Sequence, residues 1–362
     1  MTSTLNRSIR DYVSAHHVRL VEHVQRLVRC PSENTPPVGA EAACQRILAE
    51  RLSAAGYEPD LYTFDQVAGL YEHPDFFGAR EYSERPNLAA RRAGTGGGRS
   101  LILSGHIDTV PRGTQPWTRD PFSGDVDGNR LYGRGSNDMK AGVAINLWVM
   151  EAVAELGLEL AGDLTFETVV DEEFGGVNGT LAGRLRGYLA DAAVLSEPSS
   201  LRICAGQRGG RVAHITFAGA GGILGDGGFP AGAIQQVTHF LNQVPRFAEL
   251  RRVAAPVHPL YAGHCDPVPV SITKIWTGPW GYREPITPPE ECRIEFYWQA
   301  MPGEAEEDVK REFLEWMDAV VTEAPQLFST RPKVEFPIRW LPGSAIDVAH
   351  PLVTELSAAA AP

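Results

Sequence analysis

The sequence predicts an α/β fold, and two patterns predict it. Short apolar runs of buried-strand length alternate with helical stretches as far as Leu195, and each run stops at a polar or acidic cluster. From Arg211 the order becomes strand, helix, strand, strand, helix, strand, the βαββαβ order of a compact ferredoxin-like unit. This change of pattern assigns 1–207 and 341–362 to one domain and 208–340 to a domain inserted in it.

Apolar positions Ile9, Val13, Val18, Val21, Val24, Leu27 and Val28 recur at helical spacing over 6–29, and the Cys30-Pro31 step ends that helix. A second helix is expected over 38–55, stopped by Gly56. Residues 65–86 have no period and read as a loop; 87–92 read as a strand. Buried strands are expected over 100–107, 163–170 and 192–195, with a helix over 139–156 between the first two. In the insertion, strands are expected at 211–217, 268–276, 292–299 and 333–338, with helices at 231–244 and 304–320.

Composition removes several function classes. The 362 residues carry 33 basic against 45 acidic side chains, a net charge of −12, which disfavours a nucleic-acid partner. No apolar run is long enough to span a membrane, and the charged start does not resemble a signal peptide. Five cysteines (30, 44, 204, 265 and 292) without CxxC spacing point to reduced thiols in a cytoplasmic protein. No GxSxG elbow is present and no Cys stands in a nucleophile motif. The glycine run 219–225 mimics a dinucleotide fingerprint but has no helix directly after it. The sequon at Asn178 has no secretory context.

Four clusters fall at predicted strand ends or just before a helix. His106 and Asp108, two residues apart in SGHIDTVP, face the same side, so that Asp108 can orient the ring of a ligating His106; a plain hydrogen-bonded pair is the other reading. Asp138, before the 139–156 helix, reads either as an N-cap or as a carboxylate bridging two metals. Asp171-Glu172-Glu173 would repel one another unless solvated or joined by a cation; with a metal present, one Glu ligates and its neighbour serves as general base. Glu197 adds a further acid. One nitrogen from His106 and carboxylates from Asp138, Glu173 and Glu197 suit Zn, Mn or Co.

SGHIDTVP, YGRGSNDMKAG, DEEFGG and SEPS, in that order, resemble the motifs of the aminoacylase, acetylornithine deacetylase, succinyl-diaminopimelate desuccinylase and carboxypeptidase G metallohydrolase family. The resemblance implies a mixed-sheet α/β metallopeptidase-like catalytic domain, with the ferredoxin-like unit as a lid through which chains pair into homo-oligomers. It implies one or two divalent ions. His106 and Glu197 would hold one, Glu173 the other, and Asp138 would bridge them. Glu172 would be the general base and Asp108 would orient His106. The reaction implied is cleavage of a C–N bond in a small anionic or aromatic substrate by metal-activated water.

Several positions depart from the family pattern. Ile223 stands where the lid His is expected, Gly232-Ala233-Ile234 replaces Asn-Ala-Ile, Gln299 to Gly303 lacks the usual Arg, and the Asn before Thr287-Pro288 is absent. An altered lid fits an atypical substrate. One candidate is an activated aromatic amine, since the motifs are also similar to those of nitroanthranilate aminohydrolase; 5-nitroanthranilate deamination, with ammonia released, is therefore the alternative activity. Trp276, Trp280, Tyr282, Trp298 and Arg283 read either as sheet packing or as a face for such a substrate. The family's last His ligand would lie beyond Pro362, and His350 reads as a helix-start residue. Either the chain is a truncated fragment or the site runs with fewer ligands, and an inactive truncated binding or scaffold protein is the remaining alternative.

Overall fold

A computed structural model describes residues 2–176, 178–219, 231–278 and 288–360. The chain divides into two compact units, 1–202 and 203–362.

The first unit contains α1 (Thr2–Val28), α2 (Ala42–Ala54), β1 (Pro59–Tyr62), β2 (Asn87–Arg92), β3 (Leu101–His106), α3 (Lys140–Glu155), β4 (Leu164–Val169), α4 (Asn178–Arg186) and β5 (Ala192–Leu195). Its sheet runs β1-β2-β4-β3-β5. The β1–β2 and β2–β4 pairs are antiparallel, whereas β4–β3 and β3–β5 are parallel. The sheet is therefore mixed, and the carboxyl ends of β3, β4 and β5 open on one edge. Sites in such sheets form outside strand carboxyl ends. Every residue of β4 is buried, the polar Thr165, Glu167 and Thr168 included, as befits a strand with neighbours on both sides in the sheet.

One expectation for this unit needs correction. The second helix starts at Ala42, not at 38, because Val38–Gly39 pairs with Asn34–Thr35 as a small antiparallel ladder. Residues 65–86 are loop, but an anchored one: Leu70 and Tyr82 are buried, and the Tyr82 ring stacks on Phe64 at 4.1 Å.

The second unit holds β6 (Gly206–Gln207), β7 (Gly209–Ala218), α5 (Ala233–Ala254), β8 (Val270–Trp276), β9 (Glu291–Ala300), α6 (Glu306–Glu323), β10 (Lys333–Glu335), β11 (Ser344–Ala345) and α7 (Pro351–Ala360). The four-stranded sheet runs β8-β9-β7-β10, all antiparallel, which is the ferredoxin-like arrangement. Alternate residues of β9 (Cys292, Ile294, Phe296, Trp298 and Ala300) are buried in the core of this unit with Phe240, Phe247, Phe313 and Trp316. Helix α5 runs past Pro245, where it was expected to stop. Buried Phe240 and Phe247 on either side of the proline hold the helix in this core, and that packing outweighs the lost backbone donor. Residues 341–362 group with this unit, not with the first. β11 pairs with β6, and Gly210 bridges to Leu341.

Trp298 is fully buried and stacks on Phe313 at 4.5 Å, so it is core; Trp276 is 52% exposed. Ile223, Trp280, Tyr282, Arg283, Thr287 and most of the glycine run 219–225 lie outside the described residues. His350 does begin a helix: its Nδ1 accepts from the Leu352 backbone N–H at 3.2 Å. No described helix is long and apolar enough to cross a membrane.

The uncovered face of the ferredoxin-like sheet supplies a pH prediction. Burial raises the Glu295 carboxyl, but hydrogen bonds from Lys274, Thr273 and His214 outweigh it and hold the group at about 2. A carboxyl depressed from about 4.5 contributes stability that is present above the unfolded value and lost as pH falls toward 2. Glu295→Gln is expected to lower urea stability at neutral pH, and the gap to the wild type should close between about pH 4.5 and 2. A gap that stays constant across that range would refute the assignment.

Candidate metal centre

The site is assembled from three strand ends and one loop of the first unit. β3 ends in His106, the turn after β4 carries Asp171 to Glu173, the turn after β5 carries Glu197, and the loop before α3 carries Asp138. Asp138 is not a helix cap: Met139 occupies that position and makes no side-chain capping bond. Two close approaches bring the elements together. A Cβ on Gly105 would meet the side chains of Met139 and Val143, and a Cβ on Gly142 would overlap the Ser196 carbonyl. Gly142→Ala is therefore expected to cost about 1–3 kcal/mol of stability and to displace the Ser196-Glu197 turn. A variant with unchanged urea stability would show that this approach is not tight.

His106 is buried and lies at the centre of the cluster. Its Nδ1 faces the Asp108 main-chain carbonyl at 2.9 Å, which fixes that nitrogen as the donor and turns Nε2 toward the acids. Nε2 lies 3.0 Å from Asp138 Oδ1, 3.7 Å from Glu197 Oε1 and 3.8 Å from Glu172 Oε2. One ligand atom each from His106, Asp138 and Glu173 fall within 4.8 Å of one another. Glu173 is further held by the Val110 backbone N–H, which donates to its Oε1 at 3.2 Å. All six residues singled out in the sequence thus meet at one place.

Asp108 is placed differently from the simple orienting role. Its carboxylate is 3.5 Å from the His106 ring, farther than its own carbonyl. That carboxylate accepts instead from the backbone N–H groups of Glu172 at 3.0 Å and Glu173 at 3.1 Å, and from Asn34 Nδ2 at 2.9 Å. It is the buried acceptor around which the acidic turn is folded.

A second layer was not anticipated. The Asn34 amide also donates to Asp171 Oδ1 at 3.0 Å, so one neutral group spans two buried carboxylates. Asp171 takes a left-handed backbone (φ 63) and accepts from the Tyr82 hydroxyl; Arg80 lies 3.4 Å and Arg85 3.6 Å from it. Asn178 donates to Tyr82 Oη at 2.8 Å and is itself fully buried, which removes the glycosylation reading.

The electrostatics follow from the crowding of acids. Burial pushes Glu172 up to about 7, and the charges of Asp108, Glu197 and Glu173 add to it against the opposing pull of His106. Glu173 reaches about 7 for the same reason, burial first, with Asp138 and Asp108 adding. Burial opposes the charged form of His106, yet its hydrogen bonds to Asp108 and Asp138 and the surrounding carboxylates push it up to about 11. Five acids around one imidazole thus favour a positive charge at Nε2. This mixed nitrogen and oxygen donor set fits a divalent transition-metal ion in that place.

Residues 102–340 match the peptidase family M20/M25/M40. The chain belongs to this family. A succinyl-diaminopimelate desuccinylase of Methylobacterium radiotolerans is 35% identical over 208 residues, 55% of this chain and 48% of that protein. An N-formyl-4-amino-5-aminomethyl-2-methylpyrimidine deformylase of Halalkalibacterium halodurans is 28% identical over 339 residues, 88% of this chain and 73% of that protein. The chain thus spans about half the length of the desuccinylases that it matches. In fold it is similar to human carnosine dipeptidase 1, with a TM-score of 0.70 at 16% identity over 97% of this chain and 83% of that one. A dipeptidase of Saccharomyces cerevisiae gives 0.72 at 15% identity, over 96% and 82%.

Proposed function

We propose that this chain is a metal-dependent hydrolase that splits the C–N bond of a small N-acylated substrate. The observation that carries the reading is the convergence of His106, Asp138 and Glu173 within 4.8 Å, with Glu172 and Glu197 beside the same imidazole nitrogen. In this reading His106 and Glu197 would hold one ion and Glu173 a second, with Asp138 serving both; Zn, Mn and Co all suit the donors. Bound there, a divalent ion would supply Lewis acidity toward the attacking water and the acyl oxygen. Glu172 takes the proton of the attacking water and returns it to the leaving nitrogen. Its side chain keeps 51% of its surface open, so a substrate can reach it.

Both relatives described above carry names of enzymes that remove an acyl group from nitrogen, and this supports an amide over other electrophiles. The deformylase name contains a pyrimidine, which supports an aromatic amine as the leaving part. A small anionic or aromatic substrate, self-association through the second unit and a cytoplasmic setting complete the reading. Deamination of an activated aromatic amine is the second activity to be tested, because the altered lid positions motivated it.

Elemental analysis of the purified chain is expected to find a divalent transition metal, and His106→Ala is expected to lose it. A panel of N-acyl amines is expected to release carboxylate. Ammonia released from an amino-aromatic would replace the amide reading with deamination. A chain that retains no metal under any loading condition would leave only the scaffold alternative.

A further inference from the structure

Below the site, where α1 ends, two thiols and one ammonium group are packed together. Cys30 follows α1 and Cys44 lies in the first turn of α2. The Cys44 thiol is fully buried and donates to the Cys30 carbonyl at 3.1 Å; Cys30 is half-buried. Lys140 Nζ, also fully buried, donates to the carbonyls of Cys30 at 2.7 Å and Leu27 at 2.9 Å and lies 3.8 Å from Cys44 Sγ. Among the described residues no carboxylate lies within ion-pair distance of Nζ. A buried ammonium held by two carbonyls and a sulfur favours the thiolate form of that sulfur, Cys44, 3.8 Å away.

We propose that Cys30 and Cys44 are an oxidisable pair, which a peroxide joins as a disulfide between the end of α1 and the start of α2. The half-buried Cys30 meets the oxidant. Its sulfur attacks one peroxide oxygen: the S–O bond forms, the O–O bond breaks, and the departing hydroxide leaves as water with the thiol proton. The Cys44 sulfur then attacks the sulfur of the Cys30 sulfenic acid. The S–S bond forms, the S–O bond breaks, and the second water carries away the Cys44 proton. Two thiols lose two electrons, and one peroxide becomes two waters.

The local chemistry favours Cys44 as the second nucleophile. A hydrogen bond from Cys30 lowers the Cys44 thiol against the effect of burial, and with the nearby Lys140 charge and Ser32 it is brought down to about 7. The same hydrogen bond, with burial, pushes Cys30 up. The other thiols lie in the second unit, where Cys292 is buried and Cys204 and Cys265 are exposed.

The test is thiol counting and non-reducing peptide mapping of the full chain after brief treatment with hydrogen peroxide. The count of free thiols is expected to fall from five to three. One cross-linked peptide pair should contain Cys30 and Cys44, be lighter by two hydrogens, and revert with dithiothreitol. Cys30→Ser and Cys44→Ser should each abolish it. Should either variant fail to fold, the wild-type map decides alone. A disulfide through Cys204 or Cys265, Cys30 driven to sulfinic acid without a link, or a Cys44–Lys140 adduct heavier by one oxygen and lighter by two hydrogens would overturn the proposal. None of these readouts depends on the hydrolase reading.

Discussion

Glu172→Gln is expected to lower kcat by about 10²–10⁴-fold while the metal content measured by elemental analysis stays at the wild-type level. The substitution keeps the size of the side chain and the backbone N–H that Asp108 holds at 3.0 Å. What it removes is the ability to accept a proton from the attacking water. The surroundings explain why this carboxylate can serve as a base. Burial and its acidic neighbours bring it to about 7, where it can take a proton and give it back. A Glu172→Gln protein that turns over at the wild-type rate would assign the base to another group. One that loses its metal would place Glu172 among the ligands.

Asp108→Ala is expected to be the most damaging single change to the structure of the site. It removes one fully buried acceptor shared by two backbone N–H groups and the buried Asn34 amide. Leaving these donors without a partner is expected to cost about 3–5 kcal/mol of unfolding free energy. Metal affinity should fall by about 10–100-fold, because the turn that carries Glu172 and Glu173 loses its anchor. Asp108→Asn should fall between the two, since its amide oxygen still accepts while its NH2 faces other donors. Urea denaturation and chelator competition measure the two effects separately. An Asp108→Ala protein with unchanged stability and unchanged affinity would show that the turn is held by other means.

How much of this was legible in the sequence depends on range. The strand ends were legible because each buried run is short, apolar and bounded, and because polar residues cluster where such runs stop. The grouping of His106, Asp138, Glu172, Glu173 and Glu197 followed from four ordered motifs. The roles within the group came from the family resemblance, since spacing alone does not separate Glu172 from Glu173. Asn34 was not legible. It lies 74 residues before Asp108, in a segment with no periodicity, and only the tertiary fold shows that its amide joins two carboxylates. Tyr82, Arg80 and Arg85 were hidden in the same way inside a stretch read as loop. The helix expected over 231–244 was drawn too short for the opposite reason, because it continues through Pro245 to Ala254 in the aromatic core that grips it on both sides. A sharper signal was available for these partners: acids crowded at one place, with Asp108 and Asp171 fully buried, require neutral and cationic groups nearby, and the polar residues before the second helix and in the 65–86 loop were the unassigned supply.

The division of the chain into two units has a consequence for how such a protein can change. Every side chain at the metal centre, from Asn34 to Glu197, lies in the first unit. The second unit closes its own aromatic core, and among the described residues the donor set is drawn from the first. The two halves can then drift at different speeds, and a lineage can rewrite the second aromatic core while the donor set stays as it is. The departures at Gly232 and Gln299 beside unbroken motifs at His106 and Glu172 are what such uneven drift would leave behind.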